Sequence, residues 1–169
     1  MKRFLLLLAP LCLLLSGCAG YTLGGQKPAH LRQITKLAVP TFENLTLEPR
    51  LGVLLTNAII KQLQMHGSYQ IVPRNEAEAV LEGKIMRINR SQFRSDRNNI
   101  LRTSQILASL SSSYTIRDTA SGTALHNGSA AADSYIILDS NLQLSETQLL
   151  EDAAQRLAAN LANDISEGW

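Results

Sequence analysis

The chain is poor in cysteine. Of its 169 residues only Cys12 and Cys18 carry a thiol, both near the N-terminus, so the rest must fold without a disulfide and without a thiolate ligand or nucleophile. Histidine is also sparse: His30, His66 and His126 stand far apart, with no His-x-x-x-His spacing and no paired carboxylates beside them. Ser111-Ser112-Ser113 lacks the Gly-x-Ser-x-Gly context that exposes a nucleophilic serine. These absences predict no catalytic residue, no metal and no cofactor. A long apolar run is missing too, since a bilayer-spanning helix needs about 20 such residues. The net charge of +2 includes Lys2 and Arg3, which leaves 14 basic against 14 acidic side chains in the remainder. That balance does not suggest a general polyanion binder.

What is present begins at the N-terminus. Met1-Lys2-Arg3 precedes an apolar run from Phe4 to Leu15, and Leu15-Ser16-Gly17-Cys18 follows. The order of charged, apolar and small-residue regions is that of an export signal. Leu three positions before a cysteine, with small residues between, resembles the bacterial lipobox. That resemblance implies diacylglycerol on the Cys18 thiol, cleavage after Gly17 and acylation of the new amino group. Several acyl chains together make a durable membrane anchor where one holds only marginally. Ala19, where lipoproteins retained at the inner membrane often carry Asp, suggests the periplasmic side of the outer membrane. The expected organisation is a signal peptide at 1–17, a lipidated flexible tether rich in glycine at 18–33, and a single α+β domain at 34–169.

Within that domain, Ile34 to Phe42 is strand-like, with Pro40 marking an edge strand or an early end. Thr46 to His66 repeats apolar residues at helical spacing, with Thr46 as a possible cap, Pro49 in the first turn and Gly67 as the stop. Tyr69 to Pro73 reads as a short strand. Two long strands, Val80 to about Ser95 and about Leu101 to Arg117, are separated by the hairpin tip Asp96-Arg97-Asn98-Asn99. A second hairpin turns at Asp118 to Gly122 and returns to Leu138, although Ala130-Ala131-Ala132 is weak strand material. Ser145 and Gln148 match a capping box, followed by an apolar stripe of Leu150, Ala153, Leu157, Leu161 and Ile165. The order β-α-β-β-β-β-α predicts two helices on one face of a mostly antiparallel sheet of about four or five strands.

Charge is unevenly spread along the first hairpin. Lys84, Arg87, Arg90, Arg94, Arg97 and Arg102 face a single acid, Asp96, within the same stretch. Arginine forks match phosphate oxygens, so the run is a candidate anion-binding surface; charged strands also protect exposed edges. Strand alternation would put Lys84, Arg90 and Arg94 on one face and Arg87 on the other. Nucleic acid is a poor fit, because single-strand readers interleave aromatics and Phe93 is the only one in this run.

Three stretches carry a resemblance to a known family: Cys18-Ala19-Gly20-Tyr21, the segment from Ala38-Val39-Pro40-Thr41-Phe42-Glu43-Asn44 to Leu51, and Ser166-Glu167-Gly168-Trp169. Together they resemble lipopolysaccharide-assembly lipoproteins of the LptE type. The resemblance implies a non-enzymatic plug inside an outer-membrane β-barrel of the lipopolysaccharide translocon, which binds lipopolysaccharide in transit. On that reading Lys84, Arg90, Arg94, Arg97 and Arg102 are the candidate lipopolysaccharide ligands and Cys18 is the lipidation site. A shorter similarity, over Val39 to Asn44 and Tyr69 to Arg74, links the chain to lipoproteins that activate peptidoglycan synthases or serve curli secretion.

Overall fold

The computed structural model describes residues 27–95, 103–138 and 141–167. Cys18, Arg97 and Arg102 lie outside the described residues, as do the first hairpin's tip and the expected signal peptide. The elements are β1 (Lys36–Ala38), β2 (Glu43–Asn44), α1 (Leu51–His66), β3 (Gln70–Ile71), β4 (Ala79–Ser95), β5 (Thr103–Asp118), β6 (Ala124–Ile137) and α2 (Leu142–Glu167). They form an α+β fold with one 6-stranded sheet in the order β3-β1-β4-β5-β6, and β2 also pairs with β4. The long strands β4, β5 and β6 are antiparallel, while β1, β2 and β3 join by parallel pairing.

β1 is an interior strand, flanked by β3 and β4, and not an edge. Pro40 does end it early. It falls in the gap between β1 and β2, where the ladder is interrupted and a missing N–H costs nothing. Helix α1 starts later than its periodicity predicts, because Asn44 diverts the chain first. Its Oδ1 accepts the Thr46 N–H at 3.0 Å and the Thr46 hydroxyl at 2.7 Å, and its Nδ2 donates to the Glu48 carbonyl at 2.6 Å. Thr46 therefore belongs to a turn and Pro49 precedes the helix. The stop is as expected: Gly67 takes φ 68° and its N–H reaches the Leu63 carbonyl at 3.1 Å.

The capping box at Ser145 does not form. Asn141 provides an acceptor one turn earlier, its Oδ1 taking the Leu144 N–H at 3.1 Å, so α2 begins at Leu142 and Ser145 is buried inside it. The buried stripe is Leu149, Ala153, Leu157, Leu161 and Ile165. Leu150, which the spacing placed in that stripe, is half-buried and faces the groove beside Leu54 of α1.

One core lies between the helices and one sheet face. It joins Leu51, Leu55, Ile59 and Leu63 of α1 and Ala153, Leu157, Leu161 and Ile165 of α2 to Leu81, Ile85, Leu110, Tyr114, Ile116 and Ala130. The alanine run holds as strand because α2 lies close over it, with Asn160 Nδ2 donating to the Ala131 carbonyl at 2.8 Å. Small side chains on both elements permit that approach: Ala130 sits opposite a helix that buries Ala153, Ala154, Ala158 and Ala162. The body also includes residues the sequence assigns to the tether. A single 3-10 turn, Ala29–Leu31, sends Leu31 fully into the core. Glu78 fixes the chain just beyond: its carboxylate accepts the backbone N–H groups of Thr35 at 2.7 Å and Lys36 at 3.0 Å, which hold it below the usual carboxylate range.

Candidate functional site: a bulged basic hairpin

The candidate ligands Lys84, Arg90 and Arg94 lie on β4, a 17-residue strand, and Arg87 stands between them. Their placement follows from the register with β5. Lys84 is opposite Ser113, and Ile85 opposite Ser112, but the next pair is Arg87 with Ser111; Met86 is the extra residue of a bulge. A second irregularity follows at Phe93, between the pairs Gln92 with Ile106 and Arg94 with Gln105. On β5 the even positions Ala108, Leu110, Ser112, Tyr114 and Ile116 are buried under the helices, so the odd positions mark the outer face.

The bulges therefore rearrange the faces that simple alternation predicts. Lys84, Arg87 and Arg94 share the outer face, and Arg90, opposite Ala108, turns to the helix side. The expectation that Arg90 joins Lys84 and Arg94 while Arg87 stands apart is wrong. Each extra residue shifts the strand's parity by one, and no residue in this run signals a bulge in advance.

The basic run is also less bare than its sequence. Parallel pairing of β2 brings Glu43 beside Lys84, at 2.7 Å between Oε2 and Nζ. The turn after β2 brings Glu48 to Arg90, also at 2.7 Å. Lys84 and Glu43 are both more than half exposed, so their pair is worth only a few tenths of a kcal/mol and exchanges readily for another anion. Arg90 and Glu48 are about one-third exposed and line a groove with Leu51, Leu54 and Leu150 between the helices, a structural position. Arg87 is exposed and has no ion pair among the described residues. Arg94 is engaged by a neighbour.

Both bulges expose an apolar side chain immediately before an arginine. Met86, 50% exposed, precedes Arg87; Phe93, 53% exposed, precedes Arg94. Met86 and Arg87 line a shallow cleft of about 280 Å³ at the edge of β4 with Leu45, Leu47 and Ile88, and the Arg90–Glu48 pair borders the same cleft. Phe93 stacks on Tyr135 of β6, with ring centroids 5.8 Å apart and planes within 17°, beside exposed Ile137. Sequence reasoning had Phe93 in view only as a poor base-stacking platform. Met86, Leu45 and Leu47 gave no signal, because their exposure depends on the bulge and on β2. Between the two patches the outer face of β5 presents Leu107 and Ser109; Ser111 lies opposite Arg87, with Ser113 and Thr115 beyond it. This arrangement suits a molecule that is anionic at one point and apolar at another. No helix among the described residues is long and apolar enough to cross a membrane, which leaves membrane crossing by strands untouched.

Comparison with solved structures finds the same fold at low identity. Protein XCC0632 of Xanthomonas campestris is 12% identical, with 85% of this chain and 92% of that one covered and a TM-score of 0.52. A neuraminyllactose-binding hemagglutinin homologue from Helicobacter pylori is 13% identical, with coverages of 88% and 93% and a TM-score of 0.50. A minor lipoprotein from Acinetobacter baumannii is 18% identical, with coverages of 78% and 90% and a TM-score of 0.48. For the first two the likeness concerns the fold alone, and the third carries no argument. No curated protein matches the chain. The LptE lipopolysaccharide-assembly family model matches residues 34–167, which takes in both helices and every strand of the sheet, and the chain belongs to that family.

Proposed function

We propose that this is a lipid-anchored outer-membrane protein that sits as a plug in the β-barrel of a lipopolysaccharide translocon and contacts lipopolysaccharide during its delivery. It performs no covalent chemistry. Residues 1–17 are the export signal, Cys18 carries the acyl chains, and the body's outer sheet face meets the glycolipid. Family membership supports the pathway. The observation that carries the contact surface is the repeated pairing of an ejected apolar residue with an outward arginine, Met86 with Arg87 and Phe93 with Arg94.

Lipid A joins phosphates to acyl chains, and the two halves of each pair match those two chemistries. Guanidinium takes phosphate through paired, charge-assisted hydrogen bonds. Met is soft and adaptable, and an aromatic ring offers a broad apolar surface. Lys84 adds a cation whose existing partner is weakly held. Arg97 and Arg102, outside the described residues, remain candidate ligands from their place in the basic run of the sequence. Arg90 is left to hold Glu48.

The test compares two charge reversals in the purified full-length protein in detergent. Arg87→Glu with Arg94→Glu should weaken lipopolysaccharide binding about tenfold or more, the equivalent of losing one or two charge-assisted contacts. Arg90→Glu should change it less than about threefold, since that guanidinium is taken up by Glu48. Equal losses in the two variants, or no loss in the double variant, would remove the outer face from the account.

A further inference from the structure

We infer that His30 and His126 form a proton-operated latch that fastens the N-terminal arm, Lys27 to Ile34, to the folded body. The latch itself stands on the contacts below; only its consequence for the tether rests on the proposed anchor at Cys18.

The arm is a short segment with two apolar residues, Leu31 and Ile34, in the core. Around Leu31 the backbone makes a 3-10 turn, with the Leu31 N–H on the Pro28 carbonyl at 2.8 Å and the Ile34 N–H on the Leu31 carbonyl at 3.1 Å. That turn presents His30 to β6. His30 Nε2 lies 3.0 Å from His126 Nδ1, with the ring planes within 21° of each other. The centroids are 5.1 Å apart, longer than the nitrogen separation by almost two ring radii. The rings therefore meet edge to edge, and the contact is an in-line N–H to N hydrogen bond. One nitrogen must carry a hydrogen and the other a lone pair.

The surroundings accommodate one added proton but not two. His126 Nε2 is buried without a hydrogen-bond partner and stands 3.8 Å from Asp164 Oδ2 of α2. Tyr114 of β5 donates its hydroxyl to that same oxygen. Burial and the Asp164 carboxylate both push the Tyr114 phenol up, so it remains a donor. A proton on His126 thus gives Nδ1–H to His30 and faces Nε2–H toward a carboxylate. Of the other charged groups around the arm, Glu78 acts on Lys27 and is already engaged by the Thr35 and Lys36 N–H groups. Lys27 Nζ donates to the Ile34 carbonyl at 2.7 Å and lies over the Tyr69 ring, Arg32 Nε reaches the Lys27 carbonyl at 3.4 Å, and the Tyr69 hydroxyl donates to the Ile165 carbonyl at 2.7 Å.

A second proton makes both facing nitrogens donors and sets two like charges against each other. The hydrogen bond then cannot exist, and Coulomb repulsion replaces it. Acid that protonates both rings therefore opens this contact. Release would withdraw Leu31 and Ile34 from the core and pay out Lys27 to Ile34 as extended chain, roughly 25 Å of added reach between anchor and body.

Hydrogen exchange of the full-length protein in detergent micelles, corrected for intrinsic rates, tests this at about pH 7.5 and about pH 5. Protection of the Leu31 and Ile34 amides should fall about fivefold or more in acid, while Leu55 and Ile59 in α1 keep theirs. In His30→Gln, which cannot acquire the second charge, the ratio between the two pH values should be near one, whatever its absolute level. An unchanged arm in the wild type overturns the latch. So does an equal acid response in His30→Gln, or a loss shared with α1.

Discussion

Gly83→Ala is expected to destabilise the fold by about 3 kcal/mol, the upper range for forcing atoms into a packed core. Gly83, Tyr114 and Gly128 form one cross-strand row on the inner face of the sheet. The ring of Phe42 occupies the position that a Cβ on Gly83 would need, and the phenol of Tyr114 does the same above Gly128. Neither ring can withdraw cheaply. The Phe42 side chain is buried and its backbone N–H is held by the Thr56 hydroxyl at 2.9 Å, and Tyr114 is tied to Asp164. Urea denaturation would measure the loss, and a double-mutant cycle identifies its cause. In a Phe42→Ala background the added methyl should cost less than about 1 kcal/mol, because the clash is gone. An undiminished cost there would mean that the ring is not what excludes the side chain.

Leu149→Ala should cost about 3 kcal/mol and Leu150→Ala about 1 kcal/mol or less. Leu149 is 1% exposed, so truncation removes transfer energy and leaves a cavity. Leu150 is half-buried at the groove between the helices, where solvent can fill the space. Thermal and urea midpoints of the two variants would compare them directly. The opposite ranking would mean that α2 is rotated by one residue from the orientation described, and the contact of Asn160 with Ala131 would fail with it.

That pair also shows what the sequence could convey. Apolar spacing identified both helices and carried Ala153, Leu157, Leu161 and Ile165 to the core, because deep burial repeats every turn. Leu149 and Leu150 are both apolar, and choosing between them needs the position of the partner helix. Gly67 announced its helix end, since a left-handed residue there favours glycine. The helix starts misled: Thr46 and Ser145 have good capping chemistry, but Asn44 and Asn141 lie earlier in the chain and take the turns first. Strand parity failed for a comparable reason. Nothing in Ile85-Met86-Arg87 or Gln92-Phe93-Arg94 marks a bulge, yet each one decides which face an arginine serves. The acids opposite the basic run were hidden because Glu43 and Glu48 come from a short strand and the turn after it, about forty residues before Lys84 and Arg90 in sequence. The two histidines were read as isolated, being 96 residues apart, and only the fold of the arm brings them together.

The central claim is that this lipoprotein works inside a lipopolysaccharide-transporting barrel. Gentle detergent extraction of the tagged, lipidated protein from outer membranes, followed by identification of any equimolar partner, tests it most directly. The account predicts a large β-barrel protein that co-purifies at one to one and changes its gel mobility on boiling. Extraction as a homo-oligomeric ring, or with a peptidoglycan synthase and no barrel, would contradict it.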